Sequence, residues 1–380
     1  MDFSFSNDQE ELRAHLQTLL RTACPPDYAE RCDNEAMPPS EAYQALAKNG
    51  WFGLIVPPEY GGAGGSAMDL AILLEECGYA FEELAMWVFR TITYGGYAVM
   101  RDGSPEQKAL LLPRVAKGDI SVCFAITEPH SGSDAASLKT QATRCDEGYE
   151  INGQKVFTSG MDISDYCLLV ARTSTHEKKH QGITNFLIDT KLPGIEVKKI
   201  KTLGQRAIGT TQVFYNQVKV PESAVLGTVG QGWRSVDAYI WYERLCLSAA
   251  RTGAATAAFE YALNYAKSRR QFGQPIGSFQ AISHQLADMK AALDISRTLV
   301  YRFAWLMDQG KATRHDAAVV KLHTGETYKM VADKGLQILG GYGYCMEYPL
   351  QRFYRDSRLA TIGAGTSEIQ RNIIAKGLGL

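Results

Sequence analysis

The sequence predicts an α+β protein built in three successive parts: helices, a block of β structure, then a helical bundle. Three observations predict it. Apolar residues recur at helical spacing up to residue 118. Short runs rich in Val, Ile, Phe, Tyr and Thr, separated by turn signals, fill the stretch to about Pro221. Beyond "GTVGQGW" the helical period returns and holds to the end. The parts are assigned to 1–118, 119–230 and 231–380.

The first helix is expected over "DQEELRAHLQTLL", with Asn7 as its cap, Glu10 at the third position and Leu12, Leu16, Leu19 and Leu20 on one face. A second, "SEAYQALAKNG", starts at Ser40 and stops at Gly50. "SPEQKALLLPRVAKG" carries the full set of end signals: Ser104 as cap, Pro105 first, Gln107 third and Gly118 past the end. In the β block, "VCFAIT", "TQATRC", "YEIN", "KVFTS", "YCLLVART", "ITNFLID", "GIEVKKI" and "QVFYNQVKV" are the strands, with Glu147-Gly148 and Asn152-Gly153 as turns between them. The block is expected to be antiparallel.

In the last part a helix from about Ser235 carries Ala249, Ala250, Gly253, Ala254 and Ala257, small residues that admit another helix or a ligand. Ile282, Leu286, Met289, Leu293, Val300, Phe303 and Met307 recur at spacings of four and three, interrupted by Ser296, as in the seam of a packed bundle.

A formal net charge of -1 argues against a dedicated nucleic-acid surface. The eight cysteines include no Cys-x-x-Cys pair, which argues against a zinc knuckle or thioredoxin-type redox pair and suits a reducing compartment. No signal or transit peptide and no bilayer-length apolar run is apparent, so a soluble cytoplasmic protein is expected.

Several motifs invite chemistry. "HEKKH", His176 to His180, matches a zinc-protease pattern, but lies in a polar stretch without an apolar helical face; it is assigned to a solvated loop, with no metal. "GGAGG", Gly61 to Gly65, lacks the Lys-Ser/Thr ending of a phosphate loop and is assigned to a flexible connection. "ITEPHSGSD", Ile126 to Asp134, is open between an ordinary loop and a pyrophosphate-holding one. "IGAGT", Ile362 to Thr366, is a tight turn into a last helix; Thr366 suits its cap, and no side chain before Glu368 can take a proton.

"ITEPHSGSD", "INGQKVFTSG", "YAKSRRQFGQPI", "QILGGYGY" and "YRDSRLATIGAGTSEIQR", with a helix opening "WYERL", occur in order across the chain. This set resembles the acyl-CoA dehydrogenase family over essentially the whole length. The resemblance implies that family's three-part fold, with a C-terminal four-helix bundle, and FAD as cofactor. It also implies acyl-CoA as substrate, an electron-transfer flavoprotein as acceptor, and a homo-oligomer, typically a tetramer.

By the same resemblance, Ile126, Thr127 and Ser133 meet the flavin and its pyrophosphate, and Phe157 and Ser159 pack against the isoalloxazine. Many relatives have Trp at the position of Phe157. Arg269, Gln271, Phe272, Gln337 and Gly341 match residues that reach the FAD of a neighbouring subunit. Thr366 and Glu368 join the cofactor set, and Ser133, Tyr242, Arg244, Gly363 and Ala364 the substrate set, Arg244 as a CoA contact.

Many relatives carry the catalytic carboxylate where this chain has Ala364. A smaller group, which includes isovaleryl-CoA dehydrogenase, shares "IGAGT" and places its glutamate in a bundle helix directly before an arginine; here that residue is Glu243 of "WYERL". Trp241, Tyr242 and Leu245 flank it and suggest a buried helix. Glu368 is the second choice of base. The start "MDFSFSNDQEELRA" also resembles the crotonobetainyl-CoA reductase-like branch, which keeps the Glu-Arg pair, so the reverse reaction and a non-catalytic thioester-binding subunit stand as alternatives.

Overall fold

The computed structural model describes residues 4–380, so the first three residues of the N-terminal motif lie outside it. The N-terminal part comprises α1 (Asn7–Ala23), α2 (Pro26–Glu35), α3 (Ser40–Lys48), α4 (Ala67–Ala80), α5 (Glu82–Arg90), α6 (Ala98–Asp102) and α7 (Pro105–Lys117), with a π-helical turn, Thr91–Tyr97, between α5 and α6. The cap of α1 is Ser6, not Asn7. Its hydroxyl accepts from the Gln9 N–H at 3.2 Å and its own N–H donates to Gln9 Oε1 at 3.1 Å. This reciprocal pair satisfies two orphan donors, and a cap at Asn7 would forfeit it. Leu16 and Leu20 are buried and Leu12 and Leu19 pack beside them, as their spacing predicts. The same reciprocal cap starts α7 at Ser104 with Gln107, and Gly118, at φ 70, ends it.

"GGAGG" is not a loose connection. Its backbone donates back to the preceding turn, Ala63 N–H to Gly53 O at 2.9 Å, Gly64 to Val56 at 2.8 Å and Gly65 to Leu54 at 2.7 Å. A Cβ on Gly62 would lie 2.0 Å from Val56 O, so glycine there permits close packing.

The β domain holds β1 (Val122–Ala125), β2 (Gln141–Cys145), β3 (Gly148–Ser159), β4 (Tyr166–Arg172), β5 (Ile183–Asp189), β6 (Ile195–Ile200), β7 (Thr210–Val220) and β8 (Val225–Leu226). They form one sheet ordered β6-β7-β3-β2-β4-β5-β8, and β1 joins it alongside β4. The pairings are chiefly antiparallel, but β1 runs parallel to β4, and β2 meets β4 the same way at a single residue pair. Asn152-Gly153 is not a turn: "YEIN" and "KVFTS" form one strand, β3, with a register shift at that dipeptide. A Cβ on Gly153 would lie 2.6 Å from the Thr140 hydroxyl, so the glycine permits close approach opposite the residue that β7 inserts here.

The C-terminal part comprises α8 (Gly232–Ser268), α9 (Gln280–Asp308), α10 (Arg314–Leu339), α11 (Leu350–Ala360) and α12 (Ser367–Gly377). Helix α8 begins at Gly232, three residues before the expected start. Its small face receives α4, not a ligand: a Cβ on Gly253 would lie 2.0 Å from Glu75 O, and one on Gly78 2.0 Å from Ala250 O. Leu286, Met289, Leu293, Ser296, Val300 and Phe303 are the buried seam of α9, with Ile282 and Met307 half-buried at its ends.

A polar seam joins the three parts. Asp33 of α2 accepts from Arg206 (3.1 and 2.9 Å) and from Arg355 of α11 (3.2 and 2.5 Å). Burial alone would raise the Asp33 pKa; the two guanidinium groups more than offset this and hold it low. Asp356 accepts from Gln205 N–H at 2.6 Å, Gln205 donates to Glu82 at 3.1 Å, and Glu83 accepts from Ile208 N–H at 2.8 Å. Burial, then the Asp356 charge, pushes Glu82 up to about 7, and burial pushes Asp356 up to about 6.

Two outcomes follow from these contacts. Gly253→Ala drives its new methyl against the α4 backbone and should destabilise the protein by about 1–3 kcal/mol, read as a lowered Tm; an unchanged Tm would contradict the crossing. Groups with raised folded pKa values give stability that is complete below their unfolded values, 4.5 for Glu82 and 3.8 for Asp356, and is lost as pH rises through about 7 and 6. Glu82→Gln should therefore flatten the fall in Tm between about pH 5 and 8; Tm curves of unchanged slope would contradict this.

Candidate active site

Two clusters of the expected residues form, far apart in the chain's own fold. The first lies where β1 leaves the sheet. Lys155 of β3 is fully buried, donates to Ile126 O at 2.9 Å and pairs with Glu128 at 2.8 Å. Glu128 also accepts from the Lys139 and Thr140 N–H groups at 2.6 and 2.8 Å. Burial lowers Lys155 to about 8 despite that pairing. This ion pair anchors the loop that follows Ile126, and Val156 N–H to Thr127 O, 2.9 Å, fastens the loop to β3.

Two residues along, the register of β3 shifts and Phe157 stands at φ 57, its ring 63% exposed. A strand residue in the left-handed region that presents an aromatic ring to solvent is strained twice over, a pattern of sites built for a ligand. Ile126, Thr127 and Ser159 are half-buried around it. The hydroxyls of Ser131 and Thr158 are buried without a partner. Gly132 and Ser133 are exposed at the mouth of the loop. An aromatic wall with unmet hydroxyls beside it fits a flat, polar-edged ring system such as isoalloxazine.

The base candidate faces the domain junction from α8. Glu243 is half-buried, with its neighbour Leu245 fully buried. Among the described residues it forms no ion pair. Burial raises its pKa above the ordinary 4.5; Tyr94, Arg244, Arg251 and Lys321 pull the other way and are outweighed. The Tyr94 hydroxyl faces Glu243 from the π-helical turn, close enough to lower its pKa, yet it makes no hydrogen bond of ordinary geometry. The Tyr94 ring stacks on Phe124 of β1 at 4.4 Å, and Tyr97 of the same turn stacks on Tyr242 at 3.7 Å. Arg244 is buried with its Nε unmet, so its guanidinium faces protein and not open surface.

The turn at 362–366 closes this side. Ala364 stands at φ 57 and Gly365 at φ 85. Lys321, fully buried on α10, donates to Gly365 O at 2.6 Å, and Gln370 donates to Ala364 O and Gly365 O at 3.2 and 2.9 Å. Thr366 caps α12, accepting from Ile369 N–H at 3.3 Å. Glu368 is exposed at the helix start, its carboxyl held low by backbone N–H and by Thr366, and the turn itself carries no titratable side chain. Gly363 and Ala364 are half-buried.

The second cluster lies at the far end of α8. Arg269 follows its last turn, about 39 Å along the helix from Glu243 at 1.5 Å per residue. A groove of ≈ 750 Å³ there is lined by Arg269, Gln271, Phe272, Tyr342 and Gly341 among others. Phe272 is 93% exposed at φ 49, and Gln337 is exposed on the last turn of α10, outside the groove. One chain therefore does not bring Arg269, Gln271, Phe272, Gln337 and Gly341 to its own Phe157 and Glu243.

Several residues were not anticipated from the sequence. Lys321 falls on the buried stripe Ala317, Lys321, Thr324, Tyr328 of α10, and a lysine on an apolar face is a readable signal. Arg251 lies within the small-residue run of α8 in the same way. Lys155 shares the inward alternation of Tyr149 and Ile151 in β3, so a lysine on a buried strand face is a readable signal there too, whereas Arg90 and Tyr94 gave none. "HEKKH" lies in an exposed loop between β4 and β5.

Three family models match the chain in order: the acyl-CoA dehydrogenase N-terminal domain over 6–119, its middle domain over 123–218 and its C-terminal domain over 230–379. The chain is 35% identical to 3-(aryl)acrylate reductase of Clostridium sporogenes, over 98% of this chain and 99% of that one. It is also 35% identical to the mitochondrial isovaleryl-CoA dehydrogenase of Oryza sativa, over 98% and 92%. Among solved structures, a glutaryl-coenzyme A dehydrogenase in complex with glutaryl-CoA superimposes with a TM-score of 0.96 at 31% identity, covering 100% of this chain and 97% of that one. The chain belongs to the acyl-CoA dehydrogenase family, oxidoreductases that act on the CH–CH bonds of acyl-CoA.

Proposed function

We propose that this protein is an FAD-dependent dehydrogenase of a short or branched acyl-CoA thioester, with Glu243 as the base that removes the α-proton. The observation that carries the reading is the placement of Glu243: a carboxyl desolvated enough to be raised above its ordinary range, opposite a turn with no carboxylate of its own. Desolvation makes a carboxylate a stronger base toward a weakly acidic C–H. The cofactor is FAD, which when bound accepts the β-hydride. Phe157, Ser159, Ile126 and Thr127 hold its ring, and the exposed loop around Ser133 takes its polar edge. Arg244, Arg251 and Lys321 place positive charge near Glu243, where it would favour an enolate formed beside that carboxyl. Tyr242, fixed by its stacking on Tyr97, walls the acyl pocket, and Gly363 with Ala364 leave room beside the reacting carbons.

The Arg269 groove is read as the surface that meets a neighbouring subunit's cofactor, which makes the working unit a homo-oligomer, a tetramer by analogy. Among the described residues no helix is long and apolar enough to cross a membrane; a cytoplasmic location is part of this proposal. An electron-transfer flavoprotein is the proposed electron acceptor.

The reverse reaction is the second reading. A raised carboxyl is also suited to return a proton to the α-carbon, and a relative of equal identity is named an arylacrylate reductase. Rates measured in both directions on one thioester pair separate the two.

Anaerobic titration of the holoprotein with saturated acyl-CoAs should bleach the flavin. Glu243→Gln should keep the flavin and slow bleaching by at least about 100-fold, the low end for loss of a general base; bleaching at the wild-type rate would remove Glu243 from the mechanism. The reduction rate should fall as pH drops through the raised Glu243 pKa, because only the ionised form accepts a proton. Lys321→Met removes a cation that lowers that pKa and should move the acid limb to higher pH; an unmoved limb would contradict the assignment.

A further inference from the structure

Arg90 is a buried cation without an acidic partner. It closes α5, 7% exposed, and its Nε donates to Met86 O at 2.7 Å and its Nη1 to Ser159 O at 2.6 Å. Its Nη2 donates to no described protein group, and no described carboxylate pairs with it. Two backbone carbonyls thus meet two of five N–H donors, a poor return for a desolvated guanidinium. The groups whose charge acts on it, Cys123, Tyr94, Glu243 and Glu83, do so without contact.

Its position is specific. Ser159 ends β3 two residues past the exposed Phe157 ring. Four residues beyond Arg90, Tyr94 faces Glu243. The guanidinium therefore lies between the strand that presents that ring and the helix that carries the base.

The surrounding charges act on one another at a distance. Arg90, Arg244, Arg251 and Lys321 all act on Glu243, and none forms an ion pair with it. Each also feels a second acid, Glu83 for Arg90, Asp237 for Arg244, Glu326 for Lys321 and Glu82, at 3.9 Å, for Arg251. What Arg90 lacks is a contact partner for its Nη2 edge, and the reacting end of an acyl thioester, being uncharged, does not supply one.

We propose that Arg90 binds a carboxylate carried on the acyl chain, so that the substrate is the CoA thioester of a short dicarboxylic acid. The proposal rests on the dehydrogenase reading above and adds the substrate class. Arg90 is a specificity residue: its free Nη2 edge donates to the distal carboxylate, while Met86 O and Ser159 O hold the rest of the guanidinium in place.

The test compares thioesters matched in chain length, glutaryl-CoA with pentanoyl-CoA and adipoyl-CoA with hexanoyl-CoA. Two readouts are taken: anaerobic flavin reduction by the wild-type holoenzyme, and calorimetric binding to the Glu243→Gln holoprotein. The dicarboxylic member should be favoured at least about 10-fold in half-saturating concentration and in Kd, as expected for a hydrogen-bonded charge pair. Arg90→Met should abolish that ratio, and Arg90→Lys, which keeps the charge, should retain part of it. A wild-type preference for the neutral member overturns the proposal even if neither variant folds. Equal losses on both members in Arg90→Met, with a shifted flavin midpoint potential, would show a cation that serves the ring and overturn it too. Flavin reduction by no member of any pair would sink the dehydrogenase reading and this one with it.

Discussion

Everything at the candidate site depends on the backbone contact between α4 and α8. Glycines on both helices, Gly78 and Gly253, let the main chains touch where any Cβ would collide. That contact locks a helix of 37 residues against the N-terminal domain and gives Glu243 a fixed place at the junction of three parts. The polar seam of Asp33, Arg206, Arg355, Gln205 and Asp356 fastens the same junction from the side of the β domain and α11. A carboxylate with no ion pair needs such a scaffold, because nothing in its own contacts would hold it there.

The electrostatics of the site are a contest that burial wins. Arg244, Arg251 and Lys321 each lower the Glu243 pKa, yet the net shift is upward. The same competition, with the opposite sign, lowers Lys321 to about 7 and Lys155 to about 8. Lys155 meets its acid directly, in the ion pair with Glu128, whereas the charges around Glu243 are near one another but out of contact and respond without neutralising one another. That arrangement suits a base which must be ionised before the reaction and protonated after it, beside cations that meet negative charge as it develops.

The three-part order, α7 with its caps, the seam of α9 and the cap at Thr366 were legible because each rests on a local rule of spacing or end chemistry. The finer misreadings have a common cause. Asn152-Gly153 has turn chemistry, but β3 runs straight through it and the extra residue of the register shift lies opposite, in β7, where Gln217 stands at φ 52; Asn7 is a good cap, but Ser6 with Gln9 makes a better pair. Glu243 was identifiable only by resemblance, since a glutamate in a helix is usually exposed. Its surroundings were not legible at all: Arg90, Tyr94 and Lys321 come from elements remote in sequence, and only the tertiary fold places their charges around it.

The central claim is that Glu243 removes the α-proton, and it can be isolated from the hydride step. A thioester with α-hydrogens but a fully substituted β-carbon, 3,3-dimethylbutanoyl-CoA, cannot be dehydrogenated. Incubated with the holoenzyme in D2O and followed by NMR, it should exchange its α-hydrogens for deuterium with wild-type protein and not with Glu243→Gln. Exchange by the variant at the wild-type rate would contradict the account and move the base elsewhere.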